Sequence, residues 1–163
     1  MLTIRTRLTG SASTTDRQQI EVFWFKLELL LEGARRHARP FGLTRFGFTR
    51  SHDSALFLAE NRERVRACDA IVEIADAVIV AWEDADRDIA GTAASRLLLS
   101  TTTCCPVDVT TAAFPENGLT ISALFAALQE SDEPVHRLRR PAGLRAATPP
   151  LPWEEAGTEE RAS

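Results

Sequence analysis

The chain has 163 residues, 44% of them hydrophobic and 26% charged, with three cysteines and a formal net charge of -4. That length and apolar fraction suit one core built without disulfides or structural metal, and the acidic balance argues against a protein that coats nucleic acid, which needs a basic stripe. No stretch reaches the ~18 apolar residues of a membrane span and no charged start leads into an apolar run, so a cytoplasmic protein with no membrane partner is expected.

The predicted elements alternate. Leu2, Ile4 and Leu8 suit a strand to Thr9, broken by Gly10-Ser11. Thr15-Asp16-Arg17-Gln18 has capping-box spacing, and Ile20, Phe23, Trp24, Leu27, Leu31 and Ala34 put one apolar face on a helix that ends before Pro40. Leu43 to Thr49 is a second strand, and Leu58, Val65, Cys68, Val72 and Ala75 extend a long helix from Asp53 to Ala75. A third strand runs from Ala77 to Trp82, followed by a helix from Thr92 to Ser100, a strand at Val107 to Thr110, and a helix from Thr120 to Gln129 with the stripe Ile121, Leu124, Phe125 and Leu128.

Strands separated by helices imply βαβ units. The expected fold is therefore an α/β, Rossmann-like three-layer domain over residues 1–130 with a small, mostly parallel sheet. From Ser131 onward five of the eight prolines mix with charges and small residues, and a disordered tail over 131–163 is expected. Within it Pro149-Pro150-Leu151-Pro152-Trp153 has the composition of a short polyproline II stretch. Cys68 and the pair Cys104-Cys105 lack framework or metal spacing and read as reduced structural thiols. Asp84, Asp86 and Asp88 lack the glycine and glutamate of a calcium loop, so neither metal nor cofactor is expected.

In a parallel sheet, ligands bind beyond the carboxyl ends of the strands, where helix N-termini offer unpaired N–H groups. Three junctions are candidates: Gly10-Ser11, then Gly47 with Arg50 and Asp53, then Gly91-Thr92, with Asp76 and Trp82 bounding the third strand. Arg50 has the planar fork for a phosphate. Asp53 reads as a helix N-cap or a ribose contact, and Trp82 as a core aromatic or a stacking surface. With parallel strands all three junctions would share one edge.

These motifs resemble the SLOG superfamily of Rossmann-like domains, whose phage and bacterial nucleotide-binding members carry Gly-Ser after strand one, a glycine, arginine and aspartate after strand two, Asn-Arg-Glu, Ala-Asp, and Gly-Thr. The matching residues are Gly10-Ser11, Gly47, Arg50 and Asp53, Asn61-Arg62-Glu63, Ala75-Asp76 and Gly91-Thr92. A fainter resemblance to nucleoside deoxyribosyltransferases rests on the same Gly-Thr. Both families place a glutamate shortly after it, where this chain has Ser95. A serine without a positioned base is a poor nucleophile. The resemblance implies a nucleotide-derived ligand held at Gly10, Ser11, Gly47, Arg50, Asp53, Asp76, Trp82, Gly91 and Thr92, with no catalytic residue. A non-enzymatic interaction module, with a homo-oligomer among its partners, is the alternative. An N-glycosidase or transferase comes third.

Overall fold

A computed structural model describes residues 14–130 of the chain, and side chains over 17–129. The predicted first strand, Gly10, Ser11 and the tail lie outside the described residues. Eight elements follow in order: α1 (Thr14–His37), β1 (Phe41–Gly47), α2 (Ser51–Asn61), β2 (Ala70–Ile74), β3 (Ala77–Glu83), α3 (Arg87–Ser100), β4 (Asp108–Phe114) and α4 (Ile121–Glu130). The class is α/β, but the strands lie in the order β2-β3-β1-β4 and every neighbouring pair is antiparallel. The mostly parallel Rossmann-like sheet is thereby overturned.

The physical reason lies in β3. Its side chains alternate between two cores: Ile79 and Ala81 join Phe23, Leu27, Phe41, Leu43 and Leu124 under α1 and α4, while Val78, Val80 and Trp82 join Phe46, Phe57, Ala90 and Leu97 under α2 and α3. A central strand covered on both faces is apolar throughout, the pattern also shown by a buried parallel strand. Periodicity alone does not separate the two.

The second correction is the long helix, which stops at Asn61. Its side chain is fully buried, and its amide donates to the Phe57 carbonyl at 3.0 Å and to the Thr101 hydroxyl at 2.9 Å, tying the end of α2 to the end of α3. Residues 70–74 then form β2, whose β-branched Ile71, Val72 and Ile74 pack on the sheet. A two-residue loop, Ala75-Asp76, turns the chain into β3, with Ile74 paired to Ala77. Ala75 sits at φ 57 where glycine is the usual residue, so no turn signal marks this hairpin. The Asp76 carbonyl accepts the Phe48 N–H at 2.9 Å and locks the turn against the end of β1.

Helix α3 begins five residues before Thr92. Asp86 is its N-cap, accepting the Ile89 N–H at 2.8 Å. Gly91 and Thr92 therefore stand in the second turn, where the backbone N–H groups already have helical partners.

Glu60 fastens the segment after α3 onto α2. Its carboxylate accepts from the Thr103 hydroxyl and the Thr102 N–H, and further from the Thr103 N–H and the Thr102 hydroxyl. These donors, led by the Thr103 hydroxyl, hold its pKa at about 2, below the ordinary 4.5. A group depressed in the folded state contributes stability above its unfolded pKa and loses it as pH falls through the folded one. The stability gap between the wild type and Glu60→Gln, measured by urea unfolding, is therefore expected to be full above pH ~5 and to close between about 4.5 and about 2. A gap independent of pH would remove the assignment.

Candidate functional site

Antiparallel pairing separates the predicted junctions. Gly47 pairs with Ala77 and Gly42 with Trp82, so Gly47, Arg50, Asp53 and Asp76 gather at one end of the sheet, while Trp82, Gly91 and Thr92 lie toward the other. The first end is filled. Phe48 is 3% exposed and its ring packs 5.3 Å from that of Phe57. The Gly47 carbonyl accepts the Val107 N–H at 2.8 Å, and the space a Cβ would need at Gly47 is taken by the Asp108 carboxylate, which is paired with Arg45. Arg50, at the N-cap of α2, makes an exposed ion pair with Asp53 at 3.7 Å. Asp53 lies inside the helix, not at its cap.

The other end opens into a cleft of about 690 Å³, within the size range of small-molecule sites. One wall is the outer face of α3, with Asp88, Thr92, Arg96 and Ser100; the second is the α2–β2 connection, with Arg64, Arg66 and Asp69; the floor is Trp82 and the Glu83-Asp84 turn. The Trp82 indole is turned inward and donates to Thr44 Oγ1 at 3.0 Å, so its ring is a buried floor, 6% exposed.

Three arginines border this space in different states. Arg64 is committed, donating to the Ser100 carbonyl at 2.7 Å and lying 3.4 Å from Glu60. Arg66 and Arg96 have no ion pair or side-chain hydrogen bond among the described residues. Asp69 is 7% exposed; its Oδ1 accepts the Glu83 N–H at 2.9 Å, and its own carbonyl accepts from Lys26 Nζ at 2.7 Å. These contacts fix the carboxylate at the cleft wall from two neighbouring elements. Ser95 is occupied on its own helix, donating to the Gly91 carbonyl at 2.9 Å.

Arg66 and Asp69 are absent from the expected site because both fall inside the long helix expected from Asp53 to Ala75. The β-branched residues at 71, 72 and 74 are the signal that would have ended the helix and put both in the connection before a strand. Of the expected residues that fall within the described ones, Trp82 and Thr92 line the cleft.

No family model matches the chain, and no curated protein matches it. Solved structures do. A sensory box/GGDEF family protein from Caulobacter crescentus superposes with a TM-score of 0.54 at 13% identity, covering 67% of this chain and 86% of that one. A Pseudomonas aeruginosa protein trimmed to its GGDEF domain gives 0.53 at 18% identity, covering 65% and 77%. The diguanylate cyclase SiaD, solved with its activator SiaC, gives 0.45 at 12%, covering 68% and 53%. The resemblance to SLOG proteins and deoxyribosyltransferases is overturned, since the neighbours are GGDEF domains and the parallel sheet it implied is absent. The function drawn from it, a degraded SLOG pocket, falls as well, and the interaction-module alternative is no better supported. What the comparisons show is the fold, that of GGDEF domains.

Proposed function

We propose that the cleft beside α3 binds a guanine nucleotide. The observation that carries this reading is the pair Arg66 and Arg96, uncommitted among the described residues, facing a space that also holds the fixed carboxylate of Asp69. A bare anion would find the acidic lining unfavourable. A guanine nucleotide uses both signs: its phosphates take guanidinium groups bidentately, and its base offers N7 and O6 acceptors to arginine and N–H donors to a carboxylate. Thr92 and Ser100 add hydroxyls on the same wall. The reading is one of binding without turnover. No two glycines are adjacent in this chain, so the five-residue string spelled by the neighbours' family name does not occur in it.

The test is calorimetry on the full chain with GTP, GDP, ATP and cyclic diguanylate, the last a guanine ligand without a terminal phosphate. Guanine ligands are expected to bind more tightly than ATP. The double variant Arg66→Ala/Arg96→Ala should lose at least about tenfold in affinity, since a hydrogen bond to a charged group contributes about 1.5–3 kcal/mol. Asp69→Asn keeps an acceptor for the Glu83 N–H but presents an amide to the base, and should narrow the preference for guanine over adenine. Heats absent for all four ligands, or unchanged in the double variant, would sink the reading.

A further inference from the structure

Helix α1 buries Phe23, Leu27 and Leu31 against the sheet, yet its outer side carries a second apolar stripe. Val22, Phe25 and Leu29 are 62%, 63% and 54% exposed at spacings of three and four, the seam pattern of a helix that packs on another helix. Beside the stripe runs a groove of about 470 Å³ with Leu30, Ala34, Pro40 and Phe41 in its walls. Gly33 lies in the same groove. Glycine inside a helix costs about 1 kcal/mol relative to alanine, and here nothing within 4 Å would obstruct a Cβ. The isolated fold therefore gives no reason for the glycine, whereas a bulky group arriving from outside does.

We propose that this face pairs with a second copy of the chain, with α1 antiparallel to itself about a two-fold axis at Leu29. Phe25 and Gly33 are each four residues from Leu29. In this register Leu29 meets Leu29 of the second copy, and Phe25 of each copy enters the notch above Gly33 of the other. The contact is self-complementary, as a two-fold interface requires.

Charge selects the direction. A parallel pairing sets Arg35, Arg36 and His37 against their own copies, which is repulsive. The antiparallel register sets Glu21 against His37 of the second copy, one acidic and one in the basic last turn. The two copies of α1 overlap over residues 21–37, about 25 Å of helix at 1.5 Å per residue.

Sedimentation equilibrium of the full chain is the test. A concentration-dependent dimer is expected, at least tenfold weaker in both Phe25→Ser and Gly33→Leu with the far-ultraviolet circular dichroism retained, and unchanged in Leu99→Ser, an exposed apolar residue on α3. Glu21→Arg should weaken it, and Glu21→Arg/His37→Glu should restore it, a rescue that a folding defect does not produce. A monomer at all concentrations, or a dimer indifferent to both Phe25→Ser and Gly33→Leu, overturns the proposal. So does a chain that dimerises only after truncation beyond Gln129, because its own tail then fills the groove.

Discussion

Replacing Phe57 by alanine is expected to cost about 3–5 kcal/mol, the range for removing a buried aromatic ring. Phe57 is fully buried on α2, with Phe46 of β1 at 4.9 Å between ring centroids on one side and Phe48 at 5.3 Å on the other. The three rings fill the sheet end where the sequence reading placed a ligand junction. Two of them belong to β1 and its continuation, which is hydrogen-bonded to the β2–β3 turn and cannot follow a retreating side chain. Set against the usual 5–15 kcal/mol of a domain, the loss would leave the chain near its unfolding threshold at 25 °C. Equilibrium unfolding in urea measures it, and Phe57→Leu, which keeps most of the apolar volume, should lose much less. A cost below about 1 kcal/mol for the alanine would mean that the rings repack freely, contrary to the close packing expected of an interior.

The second large effect is expected at Gly42, where the constraint is crowding. A Cβ there would stand 2.5 Å from the Ala90 Cβ and 3.3 Å from the Ala85 carbonyl oxygen, so α3 lies as near to β1 as a glycine permits. The strand cannot give way, being paired on both sides with β3 and β4. The helix must lift, and with it the wall that carries Thr92 and Arg96. Gly42→Ala should cost about 1–3 kcal/mol and Gly42→Val more, as overpacking does. Because the clash is with one methyl group, Ala90→Gly should relieve it. The double variant Gly42→Ala/Ala90→Gly is then expected to be less destabilised than the sum of its single changes, a coupling that thermal or urea unfolding reads directly. Strict additivity would show that the crowding is taken up elsewhere.

Much of the fold was legible because its helices are amphipathic in the ordinary way. The stripes through Phe23, Leu27 and Leu31 and through Leu124 and Leu128 both lie in the core, and Trp24 meets Phe125 with ring centroids 5.0 Å apart. What stayed illegible was pairing direction, since a strand buried on both faces has no polar side to betray its neighbours, and the β2–β3 hairpin, whose turn has alanine at a positive φ in place of glycine. Those two omissions moved the site. Once residues 70–74 are a strand, Arg66 and Asp69 leave the helix surface and come to face α3 across the cleft. Thr92 was singled out as part of a helix N-terminus; it borders the cleft because it lies on the outer side of α3, one turn after the end that Asp86 caps.

The strand order β2-β3-β1-β4 also dictates when the sheet can be completed as the chain is made. β1 is the first strand among the described residues and an inner one, yet its two partners begin at Ala77 and Asp108. The β2–β3 hairpin is the only local pairing; both ladders of β1 wait for distant segments, and such loop closures slow folding. A nascent or truncated chain ending before Asp108 holds β1 as a sheet edge, with a row of N–H and C=O groups and the apolar Phe41, Leu43 and Phe46 available to another chain. Protection of the β1 amides from hydrogen exchange should therefore be the last to appear during refolding on the β4 side.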